Sequence, residues 1–150
     1  MHISQTTVIS IITQRVVVPF SVYGEWYYIE NGYAVTNQWR ADSQGWCYLS
    51  ETGAMVTNNF VNDSTGSAYI TEDGYFYYNV TGWKRVNDEW YYVENGYAVT
   101  NTWREDSQGW CYLGEDGAML TNVWLKDSTG WCWLDESGYW DGVYYDQIPA

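Results

Sequence analysis

The sequence predicts an all-β solenoid, a superhelix of about six stacked β-hairpin repeats of 20–23 residues each. Three observations carry this expectation: an aromatic four-residue core that recurs along the chain, a glycine at the same place after each core, and a longer period that copies three repeats at once.

The cores are Trp26-Tyr27-Tyr28-Ile29, Trp46-Cys47-Tyr48-Leu49, Ser67-Ala68-Tyr69-Ile70, Trp90-Tyr91-Tyr92-Val93, Trp110-Cys111-Tyr112-Leu113 and Trp131-Cys132-Trp133-Leu134. Their first residues lie 20, 21, 23, 20 and 21 positions apart. Sliding the chain by 64 positions aligns residues 25–75 with 89–139 at 35 identities over 51 columns, so three units were copied as a block. Within each unit the pattern alternates with the period of a strand that buries one face. One hairpin cannot cover its own apolar face, so the units must stack on one another.

Taken in order, residues 1–15 are rich in Thr, Ile, Val, Ser and Gln and read as an extended N-terminal segment; residues 16–150 form the repeat domain. Residues 16–23 supply an incomplete first strand, with Phe20 near the position where later units carry Trp. After each core comes a turn whose glycine recurs as Gly32, Gly53, Gly74, Gly96, Gly117 and Gly138. Such a turn or bulge needs positive φ, which glycine adopts without strain. Ahead of four cores stands a second turn, as in Asp42-Ser43-Gln44-Gly45 and Asp106-Ser107-Gln108-Gly109, with Asp first and Gly fourth as in a type I turn. A further ring, Trp39, Phe60, Trp83, Trp103 or Trp124, precedes the first core residue by seven positions in five of the six units. Tyr144 and Tyr145 are expected to close the stack ahead of Pro149.

Aromatic residues make up 20 % of the chain, against 17 % charged residues. A thin β protein uses rings as buried surface, but Trp also carries an N–H and a π face suited to sugars and cations. The net charge of −13 repels a phosphate backbone or an anionic membrane surface, so no nucleic-acid partner is expected. No stretch is long enough to span a membrane as an apolar helix, and the N-terminus carries no recognisable signal peptide. Cys47, Cys111 and Cys132 have no metal-ligand spacing and read as free thiols in strands. Each acidic turn has a single carboxylate, too few for a calcium loop, so neither metal nor cofactor is expected. The one histidine, His2, leaves no Ser/His/Asp or Cys/His arrangement, and the chain reads as no enzyme.

The pattern of Thr81-Gly82-Trp83 leading to Trp90-Tyr91-Tyr92-Val93, together with Gly117-Ala118-Met119-Leu120-Thr121, resembles the choline-binding or cell-wall-binding repeat family, including its glucan-binding relatives. The likeness extends over roughly residues 16–145. It implies a left-handed superhelix of hairpins in which the block of three units makes one full turn. It also implies a non-catalytic module on the bacterial surface or in a phage endolysin, extracellular and associated with the cell wall. The ligand that the resemblance implies is a wall polymer, choline-bearing teichoic acid or a glycan, held in aromatic boxes between consecutive hairpins.

Carrying the family's box onto this sequence groups Trp39, Trp46 and Tyr69; Trp83, Trp90 and Tyr112; Trp103, Trp110 and Trp133; and Trp124, Trp131 and Tyr144. Met55 and Met119 match the family's Met as box floors, although filling a core explains a Met equally well. The unit with Phe60 and Ser67 lacks its second ring and is expected not to bind. A quaternary ammonium offers no hydrogen bond and is held by cation–π attraction of very roughly 0.5–2 kcal/mol per ring. Most units carry Thr-Asn-x-Trp in place of Thr-Gly-Trp, and Cys replaces the middle Tyr in three cores, where strand alternation turns it away from the box. The alternative is a structural or assembly element, a phage or surface stalk whose rings are packing. Open edges at the terminal hairpins and the apolar residues 8–12 predict a homodimer through one end of the stack, which a monomer in light scattering at all concentrations would refute.

Overall fold

Alternation within the cores decides the local structure, since the second and fourth residues of each strand turn to one face and the first and third to the other. The structure, a computed structural model, describes residues 14–17 and 24–150. Most of the expected N-terminal segment, with His2, residues 8–12 and Phe20, lies outside the described residues.

The chain forms two compact units, Met1–Asn79 and Val80–Ala150. In the first, the strands are β1 (Gln14–Val17), β2 (Trp26–Glu30), β3 (Tyr33–Ala34), β4 (Gln38–Ala41), β5 (Trp46–Leu49), β6 (Asn59–Asn62) and β7 (Ser67–Ile70). The second contains β8 (Gly82–Val86), β9 (Glu89–Glu94), β10 (Tyr97–Ala98), β11 (Thr102–Asp106), β12 (Gly109–Leu113), β13 (Val123–Lys126) and β14 (Trp131–Leu134). Every pairing within a unit is antiparallel: β1–β2–β3, β4–β5 and β6–β7 in the first, β8–β9–β10, β11–β12 and β13–β14 in the second. The described residues contain no helix, hence none long and apolar enough to cross a membrane. The all-β stack of hairpin repeats expected from the sequence is the fold found in each unit.

The fourth core residues, Ile29, Leu49, Ile70, Val93, Leu113 and Leu134, are all fully buried. Each such aliphatic side chain contributes about 1.5–3 kcal/mol through the area it removes from water. Cys47, Cys111 and Cys132 lie on the same buried face as free thiols. Burial pushes the Cys111 and Cys132 thiols up to about 11. Opposite them, Trp46 and Trp110 stay largely exposed.

Hairpins are joined within a unit by one residue of the short segment that follows each glycine turn. Met55 bridges Leu49 of its own hairpin while its N–H donates to the Trp26 carbonyl of the hairpin before (2.8 Å). Phe76 does the same between Ile70 and Trp46 (2.9 Å). In the second unit Met119 joins Leu113 to Trp90 (2.8 Å), and Trp140 joins Leu134 to Trp110 (2.9 Å).

The departure from Thr-Gly-Trp is absorbed by asparagine. Asn37, Asn58, Asn101 and Asn122 take φ of 43–55°, a left-handed conformation that Asn tolerates better than other side chains. Their N–H groups donate to Ser50, Thr71, Gly114 and Asp135 carbonyls at 2.8–3.1 Å, so each closes the loop onto the far end of its own hairpin.

Candidate functional site

The strand register determines which rings meet. It sets Trp39 opposite Tyr48, Phe60 opposite Tyr69, Trp83 opposite Tyr92, Trp103 opposite Tyr112 and Trp124 opposite Trp133. Each pair has its centroids 5.2–5.4 Å apart and its planes tilted or perpendicular. Directly opposite cross-strand side chains are close enough for such edge contacts. Tyr112, Trp133 and Tyr69, grouped by the sequence with rings of the preceding hairpin, therefore each stand against the leading ring of their own hairpin.

Trp83 and Trp90 do come together, with centroids 6.5 Å apart and planes at 89°. They line a cavity of about 600 Å³ in the second unit together with Met119 and Tyr139. The third ring of this box is thus Tyr139, from the glycine turn of the last hairpin. Tyr139 was not among the sequence candidates. Its hydroxyl donates to Asp106 Oδ2 at 2.6 Å, tying it to the tip turn of the β11–β12 hairpin. Burial first, and then the Asp106 bond, raise the Tyr139 phenol far above its usual value, so it remains a neutral donor. Met119 forms the floor and is 9 % exposed.

The same cavity is lined by the carboxylates of Asp88, Glu89, Asp106 and Glu136, against one guanidinium, Arg85. Arg85 lies 5.3 Å from the Trp90 ring centre and weakly pairs with Asp88 at 3.9 Å, so it already covers part of one indole. Perpendicular indole walls, a thioether floor and an acidic rim suit a cation that makes no hydrogen bonds.

The first unit repeats part of this arrangement. Tyr75 donates to Asp42 Oδ2 at 2.6 Å, as Tyr139 does to Asp106, and Met55 is likewise buried. The remaining candidates meet other rings of their own unit. Trp39 meets Phe76 at 6.2 Å, and Trp46 bridges Phe76 through its backbone. Trp103 meets Trp140 at 5.7 Å, and Trp140 meets Tyr144 at 4.8 Å. Trp124 meets Tyr145 at 5.1 Å, while the Trp131 backbone pairs with Tyr145 and the Lys126 ammonium lies 5.7 Å from the Trp131 ring centre. Tyr144, expected beside Trp124 and Trp131, belongs to the Trp140 group.

A chain of paired hairpins whose rings gather where one hairpin meets the next is an aromatic β-hairpin repeat protein. Residues 81–96 and 101–119 match the family described as "Putative cell wall binding repeat", so these two segments are repeats of the choline-binding, or cell-wall-binding, type that the sequence resembles. No curated protein sequence matches the chain. Among solved structures it is similar to CbpJ from Streptococcus pneumoniae (30 % identity, TM-score 0.50, 78 % of this chain and 39 % of that one). It is also similar to choline binding protein F from Streptococcus pneumoniae (28 %, 0.50, 82 % and 43 %). A third similar structure is the modular Cpl-1 endolysin complexed with a peptidoglycan analogue (27 %, 0.51, 85 % and 38 %). The chain spans less than half the length of each of these proteins.

Proposed function

We propose that this chain is a non-catalytic cell-wall-binding module, with residues 16–150 as its repeat domain, that holds choline-type groups of a wall polymer in the box of Trp83, Trp90 and Tyr139 over Met119. The observation that carries the reading is the perpendicular Trp83–Trp90 pair facing an open cavity with an acidic rim. Cation–π attraction acts at the ring faces, and the rim carboxylates add a field that favours a cation and disfavours an anion. The similarity to an endolysin whose structure holds a peptidoglycan analogue supports a wall ligand, and with it an extracellular place at the bacterial wall and a role in targeting a lysin or surface protein. A wall glycan stacking its sugar faces on the same rings is the variant of this reading. Dimerisation through the end of the stack would multiply weak sites by avidity.

The structural alternative has one observation in its favour: Trp103, Trp140 and Tyr144 pack on one another as a core would. A titration of choline, and in parallel of purified wall polysaccharide, followed by Trp fluorescence, separates the two. The binding reading expects a saturable change, weakened about fivefold in Trp90→Ala, since Trp90 is 41 % exposed and shares its ring with Arg85, at the lower end of cation–π strengths near 1 kcal/mol. No response to either ligand would sink it and leave the assembly role.

A further inference from the structure

After Gly32 and Gly96 the next two residues are Tyr-Ala, whereas after the other four turn glycines they are either Ala-Met or Tyr followed by Phe or Trp. Ala54-Met55 is followed by Tyr75-Phe76, and Ala118-Met119 by Tyr139-Trp140. The second residue of each pair holds one backbone position: its N–H donates to the first core residue of the preceding hairpin, Met119 to Trp90 and Trp140 to Trp110. The walls correspond as well. Trp83 and Trp90 match Trp103 and Trp110, and Tyr139 bonded to Asp106 matches Tyr144 bonded to Asp127 at 3.1 Å.

The occupant of the floor differs. Met119 lies low, packed against Gly138, and leaves the cavity open. Trp140 instead stands among the walls, 5.7 Å from Trp103 and 4.8 Å from Tyr144, and its indole N–H is fixed on the Val143 carbonyl at 3.0 Å. A ring engaged by two neighbours and tethered through its one donor fills the space a ligand would take. The first unit carries the same substitution in smaller form, with Phe76 between Trp39 at 6.2 Å and Tyr78 at 5.1 Å.

We propose that Trp140 is an intramolecular occupant of the Trp103–Trp110–Tyr144 box, and that the residue at this position selects whether a box is open to a quaternary ammonium (Met) or filled by the chain itself (Phe or Trp). This rests on the reading that the Met119 box binds such a group. On this reading the Met119 box is a ligand site and the Trp140 box is a joint between hairpins.

The test is a calorimetric titration of the full chain with choline chloride, comparing the wild type with Trp140→Met, alongside amide and indole N–H spectra. Trp140→Met is expected to bind one more choline per chain than the wild type. In the wild type, choline should shift the Trp83 and Trp90 indole signals and leave those of Trp103 and Trp140 in place. An unchanged site number in a variant that keeps the wild-type circular dichroism would overturn the inference, as would a saturable shift of the wild-type Trp140 indole, which needs no variant to fold. If the wild type binds nothing while Trp140→Met binds one choline, the selector stands and the Met119 box fails as a site. If neither binds, both fall.

Discussion

Replacing Gly138 with alanine is expected to destabilise the protein by about 2–4 kcal/mol, and Gly142→Ala by only about 1 kcal/mol, although both glycines hold a left-handed backbone at φ of 92° and 84°. The shared cost is conformational, since an L side chain at such φ meets its own carbonyl. The difference comes from the surroundings. Around Gly142 no atom lies within 4 Å of an added Cβ, whereas at Gly138 the Cβ would overlap Met119 Sδ, lie 2.8 Å from its Cγ and 3.3 Å from the Leu120 carbonyl. Overpacking a tight contact costs about 1–3 kcal/mol, and Met119 cannot yield without leaving the floor of the box. Urea melts of both variants, with the folded fraction tested for choline binding, check this. Gly138→Ala should lose both stability and affinity, and Gly142→Ala a little stability alone. Equal losses would mean that the thioether on the glycine contributes nothing.

The hairpins were legible because their signals are local. Alternation within Trp110-Cys111-Tyr112-Leu113 places Cys111 and Leu113 on the buried face, and both are fully buried. The period of 64 reappears as paired hydrogen bonds, Tyr75 to Asp42 and Tyr139 to Asp106, each at 2.6 Å. What sequence reading missed lies between hairpins. Ring spacing counted along the chain could not show that register uses Tyr112 as the partner of Trp103, nor that the third wall of the Trp83 box arrives from the turn after Gly138. A signal was present in Gly138-Tyr139-Trp140, where Tyr-Trp replaces the Ala-Met of Gly117-Ala118-Met119. Its meaning depends on where that segment docks, and the docking is made by hydrogen bonds to residues far back in the chain, from the Trp140 N–H to the Trp110 carbonyl and from the Tyr139 hydroxyl to Asp106. In Thr100-Asn101-Thr102-Trp103, at φ 54°, Asn101 supplies the positive-φ turn without a glycine.

Tyr139→Ala is expected to weaken choline binding about 30-fold, near 2 kcal/mol, while Tyr112→Ala leaves affinity at the Trp83 box unchanged. Tyr139 stands at the upper end of cation–π strength because its ring is half-buried and held by Asp106, so the ligand would meet a wall that is already desolvated and oriented. Tyr112 is engaged with Trp103 at 5.3 Å and is not among the residues lining the cavity, so removing it costs the stability of that hairpin alone. Tyr139→Phe separates ring from hydroxyl. It keeps the π face and loses the bond to Asp106, whose other oxygen still accepts from the Gln108 N–H, so a few-fold loss of affinity and about 1–2 kcal/mol of stability are expected. The opposite ranking, with Tyr112→Ala abolishing binding and Tyr139→Ala neutral, would restore the grouping that ring spacing suggests and would mean that the ligand enters between the hairpins from the Trp103 side. Binding measured on all three variants at matched folded fractions decides between these geometries.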